Sequence, residues 1–423
     1  MSRAVFRFRM YPTSGQEERM FSFVEAGRRL WNMALEHRNW RWEKFRQSTG
    51  RNLQSWILTA ERKADPKLGA LYAQSAQDVL GRLDQAFRVF FKGIAKRPKF
   101  KSFRRDGSFT YPQAYNGSVT LNRGSILLSK VGEVPIVVHR KVPQDGRLKV
   151  CTIRREACGE WYAILTYETD EPLPAQKEIF ESPVGVDLGL KSIITTTDGL
   201  KVEPPHFFRK PQKRLRRLQR QMARRKKGGK NREYSRHLVA VQHAKVARQR
   251  ENFNHVLSAS IVAKHDFVAM EDLRIRNMVK NHHLAKSIQD AAWGQLKTFV
   301  TYKERRTGGL MQPVEPAYTT QDCFFCRARN KVTLDMREFV CVGCGRHLDR
   351  DFNASWRILS KGLQLVGQDM PELTPSEMGP PPIQPTGMAS LVVELGTTRP
   401  ERCPGWKPAL KGGRMSHITT ALG

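Results

Sequence analysis

The chain has 423 residues, 73 of them Lys or Arg against 40 Asp or Glu, giving a net charge of +33 and a pI of about 10.3. At 39% hydrophobic and 27% charged it holds enough apolar residue for two or three cored domains, which excludes disorder along its whole length. No apolar run approaches the roughly 18–20 residues of a membrane-spanning helix, and the arginines of Ser2-Arg3-Ala4-Val5-Phe6-Arg7-Phe8-Arg9 stand where a signal peptide needs an apolar core, so a cytoplasmic protein is expected.

An excess of this size calls for a polyanion: RNA, DNA or an anionic membrane. Basic residues that neutralise phosphates release counterions, and binding then weakens steeply with salt. No amphipathic anchor stands out, so no membrane partner is expected. A merely solvated basic surface is the plain alternative.

The opening segment alternates, with Phe6, Phe8 and Met10 on one face and Arg7 and Arg9 on the other, and predicts a strand ending at Pro12. Ser14 and Glu17 fit a capping box, and Met20, Phe23, Val24, Trp31, Ala34 and Leu35 then keep helical spacing. A second helix is predicted from about Leu71, carrying Leu80, Leu83, Phe87, Phe90 and Phe91. It leads into the basic run Lys96-Arg97-Pro98-Lys99-Phe100-Lys101-Ser102-Phe103-Arg104-Arg105. Interleaved aromatics suit phosphate contact with base stacking, and Lys99, Lys101, Arg104 and Arg105 are candidates; a solvated loop has the same composition.

From about Phe109 to Thr169 short β-rich runs are punctuated by Gly, Asn and Asp, as in an antiparallel sheet or small barrel. The opening strand is expected to join it, making the helical region an insertion. Glu171-Pro172-Leu173-Pro174 reads as a linker. Strands and helices alternate from about residue 179. Between Lys210 and Arg250 two basic helices are predicted to turn near Gly228-Gly229, with Leu215, Leu218 and Met222 packed and Arg217, Arg224 and Arg225 among those gripping a polyanion. Beyond about residue 366, Pro380-Pro381-Pro382 and Pro385 suggest a disordered tail.

Three acidic positions carry the chemistry. Asp187 lies within the apolar run Val184-Gly185-Val186-Asp187-Leu188-Gly189, Glu271 ends Phe267-Val268-Ala269-Met270, and Asp349-Arg350-Asp351 opens a helix through Trp356 and Leu359. An Asp in mid-strand is costly to bury without a cation. Carboxylates from two strands and a helix start can hold a pair of Mg²⁺ ions about 3.5–4 Å apart for phosphodiester hydrolysis. On so basic a background the ordered set points to an RNase H-like nuclease core, with Asp349 competing locally with Asp351. Of seven cysteines, Cys151, Cys158 and Cys403 are scattered. Cys323-Phe324-Phe325-Cys326 and Cys341-Val342-Gly343-Cys344, fourteen residues apart, form two knuckles that suit a structural Zn²⁺ with no open ligand position. His347 lies close in sequence but is read as a surface or supporting residue.

The series GVDLG, MEDL, CxxC…CxxC and DRDFNAS resembles the TnpB family of transposon-encoded RNA-guided DNA endonucleases, relatives of type V CRISPR effectors. Similarity extends over FRFRMYPTSGQEE, LWNMALEHR, AQDVLGRLDQAFRVFFKG, RPKFKSFRRDGSFTYPQ, IQDAAWGQLKTFVTYK and EPAYTTQDC, about residues 3–360. The resemblance implies a multi-domain α+β architecture. A β-barrel wedge domain (1–13 and 108–174) would carry a helical recognition insertion (14–107). A RuvC-like α/β nuclease domain (179–315 and 349–366) would carry a zinc ribbon (316–348), and a tail (367–423) would follow. Asp187, Glu271 and Asp351 match the catalytic, Mg-binding acids, and Cys323, Cys326, Cys341 and Cys344 the zinc ligands. Gln77 sits where the recognition helix faces the adjacent-motif DNA duplex, though an ordinary helix-surface residue fits equally. The implied partners are a guide RNA and target double-stranded DNA, with one protein copy per RNA and a nucleoid location when on DNA. A cleavage-deficient guided repressor and a small CRISPR effector are the alternatives within this build. One departure is Cys326-Arg327, where the family commonly has Cys-Gly.

Overall fold

In the computed structural model, which describes residues 2–103, 107–205, 207, 211–333 and 336–370, the alternating opening segment forms β1 (Ser2–Met10), with Phe8 and Met10 buried. Residues Arg104 and Arg105, the tail from residue 371 and Cys403 lie outside the described residues. β1 is followed by four helices: α1 (Ser14–Phe45), α2 (Arg51–Ala64), α3 (Pro66–Ala70) and α4 (Ala73–Phe91). Then come β2 (Gly107–Tyr111), β3 (Val119–Asn122), β4 (Ser125–Leu128), β5 (Gly132–Val137), β6 (Arg147–Arg155) and β7 (Trp161–Thr169).

These strands make one antiparallel sheet in the order β2-β6-β7-β1-β5-β4-β3. β1 pairs along its whole length with β7 and, at its end, with β5 through Arg9↔Val137 and Met10↔Ile136. The sheet is rolled: Tyr111, on edge strand β2, donates its hydroxyl to the Ser129 carbonyl just beyond β4, at 2.8 Å. No backbone pairing joins β2 to β3 among the described residues, so the barrel is nearly closed rather than sealed. The helices share its core; Phe23 of α1 meets Phe109 of β2 edge-on at 5.6 Å.

The capping box of α1 falls one residue before the predicted one. Thr13 accepts from the Gln16 amide, and Gln16 accepts from the Thr13 amide in return. Both registers satisfy the motif, and long-range contacts choose between them. Gln16 also donates to the Glu133 carbonyl of β5 at 2.7 Å, while Glu17 is taken by Arg155 of β6 at 2.9 Å.

The second half contains β8 (Pro183–Asp187), β9 (Ile194–Thr196), β10 (Lys201–Val202), α5 (Gln212–Arg224), α6 (Lys230–Lys264) and β11 (Phe267–Glu271). It continues through α7 (Ile275–Met278), α8 (Ala285–Ala291), α9 (Trp293–Thr307), β12 (Leu310–Val314), the hairpin β13 (Glu338–Val340)–β14 (His347–Asp349), and α10 (Arg350–Leu365). Its sheet runs β10-β9-β8-β11-β12, with β8, β11 and β12 parallel and β9 antiparallel to β8. All five residues of β11 are buried, as expected for a parallel strand covered on both faces.

Two glycine contacts seat α10 directly on this sheet. A Cβ at Gly185 of β8 would lie 2.0 Å from the Ser355 carbonyl oxygen, and one at Gly362 would lie 2.6 Å from Ala269 Cβ of β11. The two halves are clamped by charge. Arg248 of α6 donates to Glu156 and Glu160 of the β6–β7 hairpin, which also bind Arg7 and Arg9 of β1. Among the described residues no helix is long and apolar enough to cross a membrane.

Candidate functional site: an acidic centre beside a cysteine knuckle

β8 and β11 are parallel neighbours in the register Val186↔Met270, so Asp187 and Glu271 end adjacent strands side by side. The close seat of α10 over Gly185 brings the first turn of that helix, and with it Asp351, to the same end. Asp187 and Glu271 are both 7% exposed. Burial holds the Asp187 carboxyl well above its usual range, reinforced by the negative charges of Glu271 and Asp351 and only partly relieved by Arg350. Burial also raises Glu271, opposed by a hydrogen bond from Thr319 and the charge of Lys361.

The three acids share one electrostatic field without closing into a single chelate. Among the described residues they are not a set whose ligand atoms all lie within 4.8 Å of one another. Asp351 is occupied: Arg350 donates to its Oδ1 at 2.8 and 3.0 Å, and Arg337, just before β13, donates to Oδ2 at 3.1 Å. Asp187 has no ion pair among the described residues. A buried carboxylate repelled by two others is a site that a hard divalent cation fits, since Mg²⁺ takes one or two carboxylates and keeps its waters.

Asp349 is committed elsewhere. Its Oδ1 caps α10 by accepting from the Phe352 amide at 2.8 Å, and its Oδ2 pairs with Lys201 at 2.8 Å. Asp272 points out to Lys297.

The four knuckle cysteines do converge, each Sγ within 4.8 Å of the others. Cys323–Cys344 is 3.9 Å and Cys326–Cys341 is 3.4 Å. A tetrahedron of Zn–S bonds of about 2.3 Å has edges of about 3.8 Å, so the cluster fits zinc. Burial would raise the Cys341 thiol, but the Cys344 and Gly343 amides with the neighbouring sulfurs bring it down to about 6, favouring a thiolate ligand. A Cβ at Gly343 would sit 2.6 Å from Ala328 Cβ and 3.1 Å from Cys326 Sγ, so only glycine lets the knuckles close this tightly. His347 is exposed and faces Glu338. The first knuckle docks on α10: the Phe324 amide donates to Asn353 Oδ1 at 2.8 Å, and Asn353 donates to the Asp322 carbonyl.

The basic candidates divide. Arg217 and Arg224 are exposed on α5, whereas Arg225 is half-buried and spends its guanidinium on the Asn231 carbonyl and Ser235. Lys99 is exposed, and its carbonyl accepts from the Trp31 indole. The Lys101 ammonium folds over the Trp31 ring at 3.7 Å, where burial lowers it to about 8. Gln77 of α4 accepts from Ser55 of α2, bridging two helices. Thr319, Lys361, Arg337 and Arg350 escaped the sequence reading as site residues; Arg350 lies inside DRDFNAS, between the two aspartates, and Thr319 inside EPAYTTQDC, while Lys361 and Arg337 lie in neither.

With this geometry in hand, three family models match the chain: "Probable transposase" over residues 164–282, "Cas12f1-like, TNB domain" over 293–358, and "Helix-turn-helix domain" over 1–47. The last span is a strand and one continuous helix here, so its description does not fit the observed elements. A Streptomyces pristinaespiralis protein named "Putative RNA-guided DNA endonuclease" is 32% identical over 367 residues, covering 85% of this chain and 90% of its own. "Putative RNA-guided DNA endonuclease InsQ" of Escherichia coli (strain K12) is 29% identical over 375 residues, covering 84% and 92%. Among solved structures, the protein of a Cas12f1–sgRNA–target DNA complex matches with a TM-score of 0.55 and 13% identity over 82% of this chain and 83% of that one, a likeness of fold.

Proposed function

Because the chain belongs to the TnpB family of transposon-encoded RNA-guided DNA endonucleases, we propose that it cleaves guide-matched DNA at the centre formed by Asp187, Glu271 and Asp351. The observation that carries this reading is the side-by-side ending of β8 and β11 in two buried acids, with the Asp351 end of α10 held against them by glycine contacts. The β10-β9-β8-β11-β12 sheet, with its single antiparallel entrant beside three parallel strands, supports a RuvC-like, RNase H-type domain over 179–315 and 349–366. The rolled sheet takes the place of the wedge domain over 1–13 and 108–174. Helices α1–α4 act as the recognition insertion within 14–107, and residues 316–348 form the zinc ribbon.

Asp187, Glu271 and Asp351 would hold Mg²⁺, which when bound orients the attacking water and neutralises the charge that develops on the phosphate. The protein's own part is placement. The strands fix Asp187 and Glu271, the α10 cap fixes Asp351, and burial keeps bulk water from screening them. Exposed Arg217 and Arg224 engage nucleic-acid backbone, leaving sequence choice to base pairing between guide RNA and DNA. The cysteine cluster would hold zinc in a structural role.

The test is reconstitution: the protein is purified with its RNA and incubated with matched DNA with and without Mg²⁺. Cleavage that needs Mg²⁺ and is lost in Asp187→Ala with guided binding intact is expected. Cleavage undiminished in Asp187→Ala overturns the assignment, and guided binding without cleavage by the unaltered protein would indicate a repressor.

A further inference from the structure

The chain that leaves β12 turns back on itself within a few residues. Val314 lies level with Glu271 in the parallel register, and Thr319 returns its hydroxyl to Glu271 Oε1 at 2.6 Å. Thr319 is 1% exposed. The residue before it, Tyr318, holds φ at +62°, a left-handed conformation unfavourable for a bulky side chain that persists only where the surroundings impose it. Here they do. The Tyr318 carbonyl accepts from the Gln321 and Asp322 amides, Lys361 of α10 donates to the Ala317 carbonyl at 2.6 Å, and the Arg329 guanidinium lies 3.7 Å over the Tyr318 ring. Four residues after Thr319 the chain enters the first cysteine knuckle at Cys323.

We propose that Thr319 is a positioning residue for cleavage: its hydroxyl fixes the orientation of Glu271 and leaves Oε2 free to face a divalent cation. The inference rests on the reading of Glu271 as a metal-binding acid. A carboxylate at a strand end can swing about its side-chain torsions, and a charge-assisted hydrogen bond from a buried hydroxyl selects one orientation. The hydroxyl carries a single proton, and the Pro316 carbonyl, 3.2 Å away, is its other acceptor. The shorter bond goes to the carboxylate. The strained turn is what aims the hydroxyl inward, so the ribbon is tied to the acidic centre by its entry segment.

The experiment compares Thr319→Val, which keeps the shape and removes the hydroxyl, with Thr319→Ser, which keeps the hydroxyl. Each is made in the full chain with its RNA. Three quantities are read: Mn²⁺ binding by titration, the Mg²⁺ concentration for half-maximal cleavage, and bound zinc. Thr319→Val is expected to weaken Mn²⁺ binding and raise the Mg²⁺ midpoint by about tenfold, the scale of one hydrogen bond to a charged group. It should keep its zinc and its guided DNA binding, and Thr319→Ser should stay within about twofold of the parent. Parental Mn²⁺ binding in Thr319→Val, or a loss of zinc that accounts for the whole defect, overturns the proposal. Mn²⁺ binding that Glu271→Ala removes, in a parent protein that does not cut, would instead refute the nuclease reading while leaving the Thr319 comparison decisive.

Discussion

Arg327 takes, at φ +61°, the place after the first knuckle that Gly345 takes, at φ +70°, after the second. The two turns are otherwise alike: the Arg327 amide donates to the Cys323 carbonyl at 3.0 Å and the Gly345 amide to the Cys341 carbonyl at 2.9 Å. A side chain in this conformation crowds its own backbone at a cost of roughly 1–2 kcal/mol, part of which glycine returns through its freer unfolded chain. Arg327→Gly should therefore stabilise the ribbon by about 0.5–1 kcal/mol. Slower zinc loss to a chelator would report it; an unchanged or faster rate would count against it.

Removing a ligand should act through the fold. Cys326→Ala is expected to purify without zinc and to lose the docking of Phe324 and Asn353 across α10. Cleavage should fall by about 10²-fold or more, with RNA binding retained. Metal analysis beside a cleavage assay checks this, and full activity at zero zinc would refute it.

The acids should behave as a unit. Asp187→Ala and Glu271→Gln are each expected to lower the cleavage rate by on the order of 10³-fold, and the double variant by little more, because residues that act together are not additive. Asp349→Asn, by contrast, keeps the capping oxygen and should cost less than about tenfold in rate. Single-turnover kinetics separate the cases.

Glu304 offers a pH test far from the chemistry. It is fully buried in α9, and neither carboxylate oxygen has a hydrogen-bond partner among the described residues. Burial pushes it up to about 8, with Asp266 raising it further and Lys177 opposing. The folded protein therefore holds a proton that the unfolded chain, near 4.5, releases. The stability this proton confers is complete below about pH 4.5 and is lost as pH rises toward 8, at up to about 1.4 kcal/mol per pH unit. Glu304→Gln should flatten that slope and raise the melting temperature at pH 8. Parallel melting curves of parent and variant across pH would exclude the assignment.

Elements with strong periodicity were legible in the sequence. The Phe6–Phe8–Met10 alternation marked β1, and the glycine pair at 228–229, with Gly228 at φ +85°, marked the turn between α5 and α6. Helix α2 was not, because its packed stripe is thin: only Gln54 and Leu58 are buried, while Trp56 is 76% exposed. The acids could be ordered along the chain by motif. The resemblance put Asp351 rather than Asp349 in the third place, and the commitment of Asp349 to the Phe352 amide and Lys201 supports that choice. Thr319 needed the fold, because nothing in EPAYTTQDC tells which of its two threonines reaches Glu271. Arg225 looked like its basic neighbours until its turn contacts appeared.

Where α10 crosses β8, the strand backbone at Gly185 meets the helix backbone at Ser355, and where it crosses β11, Gly362 meets the small side chain of Ala269. At Gly185 the nearest atom is a backbone carbonyl oxygen, which cannot swing aside as a flexible side chain would. A single methyl group at position 185 would lift the helix bodily, and the lever would move its acidic tip away from the strand ends. A harmless-looking alteration in the floor of the domain could thus leave a molecule that folds, loads its guide and finds its target, yet cannot cut.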